Sequence, residues 1–113
     1  MHEYAVTQNI VDVAVKEAQV ANAGRILEIR LVIGDLSAII DESVRMYFEI
    51  ISKGTAAEGA GLSFRRVPAG MRCKNCGALY DKPASGFQCP VCGSEGTLTG
   101  TGREFYIESL EVE

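Results

Sequence analysis

The stretch Cys73-Lys74-Asn75-Cys76-Gly77 is answered after a loop by Cys89-Pro90-Val91-Cys92-Gly93, and these two turns hold all four cysteines of the chain. Twelve residues separate the pairs, and a glycine follows each. A Cys-x-x-Cys turn brings two sulfurs to one ion, and the trailing glycine lets the backbone turn sharply beneath it. Two such turns build a closed tetrahedral site of four thiolates, the geometry of structural zinc.

Other readings of the cysteines fit less well. Two disulfides suit a small secreted protein, and no signal-peptide pattern precedes this chain. A thioredoxin-type pair needs one Cys-x-x-Cys opening a helix rather than two turns flanking a loop. Cys73–Tyr80 and Cys89–Gly93 also look like rubredoxin knuckles, which hold iron. Rubredoxins separate their knuckles by a longer stretch with an aromatic core, whereas here the loop carries only Tyr80 and Phe87. Zinc, a redox-silent ion, suffices to staple so small a lobe.

Working outward, the segment 69–102 offers Leu79, Tyr80, Phe87, Val91 and Leu98, too few apolar residues for a core of its own. Below about 40 residues a lobe usually depends on a metal or a disulfide. Structural zinc supplies on the order of 10–16 kcal/mol of apparent binding free energy, so the lobe is expected to be disordered without metal. It is bracketed by two strand patterns. Leu62–Val67 is stopped by Pro68, and Arg103–Val112 changes its apolar face near Ser109, as a bulge would. These bracketing strands are expected to pair antiparallel.

Upstream, Val6, Ile10, Val13, Ala14, Ala18 and Ala21 recur at helical spacing between Tyr4 and Asn22, with Gly24 as the stop. Leu27, Ile29, Leu31 and Ile33 alternate along a strand as one buried face, ended by Gly34-Asp35. Its other face, with Ile26 and Val32, joins Tyr106 as an expected docking surface. Asp41 reads as the N-cap of a second helix, Asp41–Lys53, with Val44, Tyr47, Phe48 and Ile51 on one stripe and Gly54 at its end. The two strands around that helix should run parallel. The expected class is α+β: a mixed three-stranded sheet with two helices, plus an inserted four-cysteine zinc-ribbon-like lobe. Residues 1–68 and 103–113 then form one domain, and 69–102 the lobe.

Composition narrows the function. The 113 residues are 47% hydrophobic and 23% charged, an ordinary globular balance for one domain and a satellite. The net charge of −4 argues against general nucleic-acid binding, and no apolar run approaches a membrane span. The chain reads as cytoplasmic. Catalysis finds no support. A closed four-cysteine site has no position for substrate, one histidine cannot supply a triad, and no phosphate-binding glycine loop follows a strand.

That single histidine is His2. The Met1 amine, the His2 backbone nitrogen and His2 Nδ1 can reach one ion through a five-membered and a six-membered chelate ring. With the amide proton lost, the three nitrogens lie in a plane, which suits Ni(II) or Cu(II). Glu3 or an external donor completes the square. The alternative is a solvated terminal histidine without a role.

Met1-His2-Glu3 with Gln8 and Ile10, the run Leu27–Leu36, Tyr47-Phe48-Glu49, Gly54-Thr55, Glu58-Gly59-Ala60, both cysteine pairs and Gly102-Arg103-Glu104-Phe105 stand in one order along the chain. In this the sequence resembles the HypA/HybF hydrogenase nickel-incorporation proteins over essentially its whole length. The resemblance implies a nickel metallochaperone that binds Ni(II) at the Met-His terminus and holds structural zinc in the lobe. It also implies delivery to the large subunit of [NiFe]-hydrogenase with the GTPase HypB, and in some organisms service to urease maturation. His2 carries over as nickel ligand, Cys73, Cys76, Cys89 and Cys92 as zinc ligands, and Glu3 and Asp41 only as carboxylate neighbours. Some relatives add a histidine from the lobe to the nickel site, and this chain has none there. The rivals are a zinc-ribbon adaptor for nucleic acid or protein and a rubredoxin-like iron carrier. Monomer and homodimer are both compatible with the pattern, the latter through exchange of strands that flank an inserted lobe.

Overall fold

The computed structural model describes residues 3–113. Met1 and His2, the residues of the expected terminal chelate, lie outside them. Two helices and six strands follow one another as α1 (Glu3–Val20), β1 (Ile26–Gly34), α2 (Asp41–Ile51), β2 (Gly61–Val67), β3 (Gly70–Cys73), β4 (Leu79–Asp81), β5 (Gly96–Leu98) and β6 (Phe105–Val112). The chain forms two compact units. One gathers the chain up to Val32, Ala38–Arg65 and Tyr106–Glu113, and the other Ile33–Ser37 and Arg66–Phe105.

The larger sheet has the order β2-β1-β6. The Ile26 amide donates to Ala56 O at 2.8 Å and the Asp35 amide to Val67 O at 2.9 Å, so β1 and β2 run in the same direction. The Gly34 amide donates to Glu104 O at 2.7 Å and the Glu113 amide to Arg25 O at 2.9 Å, so β1 and β6 are antiparallel. The sheet is mixed, and the chain adds two helices and a four-cysteine cluster, as the patterns predict. The expected pairing of the two strands that bracket the lobe is wrong, because β1 lies between them. β1 is the most apolar strand, and the central position covers it from both edges. Ile26 and Val32 are accordingly 0% exposed and form no docking surface, whereas Leu27, expected inside, is 37% exposed.

In the first unit, α1 buries Thr7, Ile10, Val11, Ala14 and Ala18. The stripe is rotated from the expected one: Val11 and Thr7 are inside, and Val13 is 41% exposed. Thr7 can be buried because its hydroxyl donates to the Glu3 carbonyl one turn earlier. The helix closes on Asn22 rather than Gly24. Asn22 has φ 56°, its amide donates to Gln19 O at 3.0 Å, and the Ala23 amide reaches Ala18 O at 2.8 Å. That is a Schellman cap with asparagine in the left-handed position. α2 buries Val44 and Phe48, and the Tyr47 ring meets Tyr4 edge-on at 5.3 Å. Asp41 is the first helical residue. The N-cap is Ile40, whose side chain cannot cap, so the expected Asp41 cap does not form.

β6 runs from Phe105 to Val112 with the predicted change of phase. Glu108 pairs with Arg65 at 2.8 Å, while the adjacent Ser109 accepts from Arg30 at 3.3 Å and Glu111 lies 3.7 Å from Arg30. Ile107, Ser109, Leu110 and Val112 line a groove with α1. Ser109 and Leu110, successive residues that both line the groove, mark the change of phase.

Candidate metal centre

The second unit is built on a small antiparallel sheet of order β4-β3-β5, which the sequence patterns do not signal. Met71 pairs with Tyr80 on one side and Leu98 on the other, and its side chain is 1% exposed. Cys73 ends β3, opposite Gly96, and opens the first turn. Most other apolar side chains of the lobe stay in solvent: Leu79 is 67% and Val91 74% exposed.

The two cysteine turns repeat one hydrogen-bond scheme. The Gly77 amide donates to Cys73 O at 3.2 Å and the Gly93 amide to Cys89 O at 2.9 Å. Both glycines take positive φ, 75° and 78°, as the turn beneath the ion demands. The Cys73 amide donates to Ala78 O at 2.9 Å, and the Cys89 amide to Ser94 O at 2.8 Å. Cys73 Sγ accepts from the amides of Asn75 (3.3 Å) and Cys76 (3.4 Å), and Cys89 Sγ accepts from the Val91 amide (3.3 Å). The first sulfur of each pair is buried and the second exposed.

All four sulfurs lie within 4.8 Å of one another. Across the two turns, Cys73 and Cys92 stand 3.4 Å apart and Cys76 and Cys89 3.7 Å. A disulfide closes to about 2.05 Å. Sulfurs about 2.3 Å from one tetrahedral zinc are about 3.8 Å apart. The donor set therefore fits a single thiolate-bound ion and leaves no position for a further ligand.

The surroundings favour thiolate unevenly. Cys92 is drawn down to about 6, first by the backbone N–H and then by the side chain of Ser94, and further by Cys73 and Asn75. Cys73 is lowered, chiefly by the Cys76 amide. For Cys76 the Ala78 amide pulls downward, but hydrogen bonding to Cys73, burial and the other sulfurs outweigh it and push the thiol up to about 11. Tyr80, which donates to Phe87 O at 2.6 Å, is raised by burial and by the negative sulfurs around it. A cation bound among the four would counter that mutual repulsion.

Asn75, Ala78 and Ser94 were not singled out in the sequence. Ala78 and Ser94 occupy the same place, two residues after the second cysteine of each turn, and that repetition is the signal that finds them. Of the other expected site residues, Glu3 begins α1 and its Oε2 accepts the Ile40 amide at 3.3 Å, immediately before Asp41. The structure thus joins Glu3 to the start of α2, while His2 lies outside the described residues. No described helix is long and apolar enough to cross a membrane.

A family profile described as "Hydrogenase/urease nickel incorporation, metallochaperone, hypA" matches residues 1–112. The hydrogenase maturation factor HypA of Caldanaerobacter subterraneus subsp. tengcongensis is 46% identical over 114 residues, covering 100% of both chains. That of Geobacter sulfurreducens is 40% identical over 113 residues, again covering 100% of both. The solution structure of the Ni metallochaperone HypA from Helicobacter pylori superposes with a TM-score of 0.65 at 24% identity. It covers 99% of this chain and 97% of that one, and it speaks to the fold alone. With its four-cysteine metal site, the chain belongs to the HypA family of hydrogenase nickel-incorporation metallochaperones.

Proposed function

We propose that this chain carries Ni(II) on its Met-His terminus and hands it to a [NiFe]-hydrogenase large subunit in cooperation with the GTPase HypB. The observation that carries this reading is the closed four-sulfur cluster. A site saturated by its own thiolates holds an ion for structure, so a cargo ion needs donors elsewhere. The Met1 amine, the His2 amide nitrogen and His2 Nδ1 are those donors, in one plane around the metal. Glu3, anchored on the α2 start, or a donor from outside completes the set.

On this reading the cysteine cluster holds Zn²⁺, and Cys73, Cys76, Cys89 and Cys92 are its ligands. Residues 1–68 and 103–113 act as the nickel-binding domain and 69–102 as the zinc-binding lobe. We assign the chain no catalytic role and place it in the cytoplasm, with urease maturation proteins as a second set of recipients. Terminal ligands exchange more readily than a buried cage, which suits a protein that must release its ion. Nickel leaves by substitution when the recipient supplies competing donors.

Nickel calorimetry on the zinc-loaded chain with a native terminus tests the reading. His2→Ala and acetylation of the Met1 amine should each remove the site. Unchanged binding in both variants overturns it.

A further inference from the structure

The two edges of the larger sheet end differently. At β2 the guanidinium of Arg45 lies 4.7 Å from the Phe64 ring centroid, Arg65 and Arg66 follow, and Pro68 closes the strand. Such charges and prolines blunt an edge. At β6 the backbone groups from Ile107 to Val112 that face away from β1 have no backbone partner among the described residues. They form an open ladder beside no lysine, arginine or proline of the same strand.

Along this edge runs a groove of about 430 Å³ between α1 and β6. Val13, Glu17 and Ala21, spaced one turn apart, line the helix side, and Ile107, Leu110 and Val112 the strand side. The change of phase along β6 makes this possible. It sends Glu108 and Glu111 to arginines of the sheet, and Glu113 lies near Arg25 at 3.8 Å, so the acids of β6 are already engaged. Glu17 is the one charged residue lining the groove, and its carboxylate has no partner among the described residues.

We propose that the β6 edge and this groove receive an extended segment of a partner protein. The segment would hydrogen-bond to the backbone between Ile107 and Val112, place alternate apolar side chains in the groove and set a Lys or Arg against Glu17. Strand addition draws affinity from the backbone ladder and selectivity from the alternate side chains. A second copy is a poor occupant, because its own β6 carries no cation to meet Glu17. The inference is independent of the terminal nickel site.

Panning the metal-loaded full chain against random linear peptides displayed on phage tests it. Enriched peptides should alternate apolar and polar residues with a Lys or Arg among them. As synthetic peptides they should shift the amide resonances of Ile107–Val112 and Val13–Ala21. Glu17→Lys should weaken them about tenfold or more with the circular dichroism spectrum unchanged. The proposal is overturned if nothing is enriched, if the shifts fall on α2 and β2, or if peptides N-methylated on alternate amides bind equally well. Sedimentation showing this edge filled by a second copy would also overturn it.

Discussion

Glu3 Oε2 accepts the backbone amide of Ile40 at 3.3 Å, so the first described residue of α1 supplies the cap that α2 lacks from its own N-cap side chain. The two helix starts are tied at Glu3, the residue that follows Met1-His2 in the sequence. A carboxylate there also complements the positive ends of both helix dipoles. Glu3→Ala should lower stability by about 1 kcal/mol, the usual cost of losing a cap. Glu3→Gln, which keeps an acceptor oxygen, should recover part of it. Thermal melting of the three proteins at one zinc loading checks the order, and equal melting temperatures would show that the contact contributes nothing.

The four-cysteine lobe should not outlast its ion. β3, β4 and β5 are four, three and three residues long, and Met71 is the only large side chain of that sheet wholly inside. A sheet of that size does not stand alone in water. Stripping the metal with a strong chelator should collapse the amide dispersion of residues 70–100. The resonances of Ile10, Val11, Ile29 and Val44, in the other unit, should stay in place. Cys89→Ser should give the same spectrum without chelator. Retained dispersion in the lobe after verified metal loss would contradict this.

Three glycines separate two kinds of constraint. Gly77 and Gly93 have positive φ, and a Cβ on either meets nothing within 4 Å. Alanine at either position should cost about 1–2 kcal/mol of backbone strain and weaken metal binding accordingly. At Gly34 the limitation is contact, since a Cβ would run into the backbone of Gly102 and the Arg103 nitrogen. Gly34→Ala should therefore cost about 3 kcal/mol, the upper end of overpacking effects, because backbone cannot swing aside as a side chain can. Urea titration of the three variants measures the difference, and a Gly34→Ala protein as stable as the parent would refute the close approach.

How much of this was legible differs by element. The cysteine turns were, because a short motif carries its own geometry, and so were the two helices of the first unit with their strong periodicity. Thr7 shows one limit: a hydroxyl reads as polar until its local backbone bond is known. The order β2-β1-β6 shows another. Which strand becomes central depends on the summed burial of all three, and local patterns suggested pairing the two that flank the lobe. β3–β5 were invisible because their short runs lack alternation and their exposed Leu79 and Leu98 make no periodic face. Ala78 acts through its backbone amide and Ser94 through its amide first and its side chain second, so side-chain chemistry alone does not single them out. The cap on α2 comes from Glu3, thirty-seven residues upstream of Ile40, and no local reading could supply it.

Nickel affinity should fall with acidification, and the sign follows from the donors. On the proposed terminal site, metal binding displaces the proton of the His2 amide, so each unit of pH lost should weaken binding on the order of tenfold for that single proton. Below an ordinary imidazole pKa of about 6.5 the ring must shed a proton too, and a terminal amine with a pKa near 8 adds another below that value. The slope of log affinity against pH should thus steepen as the solution becomes more acidic. The four-cysteine cluster gives an internal control, because it should keep its ion over a range in which nickel is already lost. Titrations of the zinc-loaded chain across this range, with zinc retention followed in parallel, decide the matter. A flat nickel profile would mean that the amide keeps its proton and that the ion is held by side chains alone.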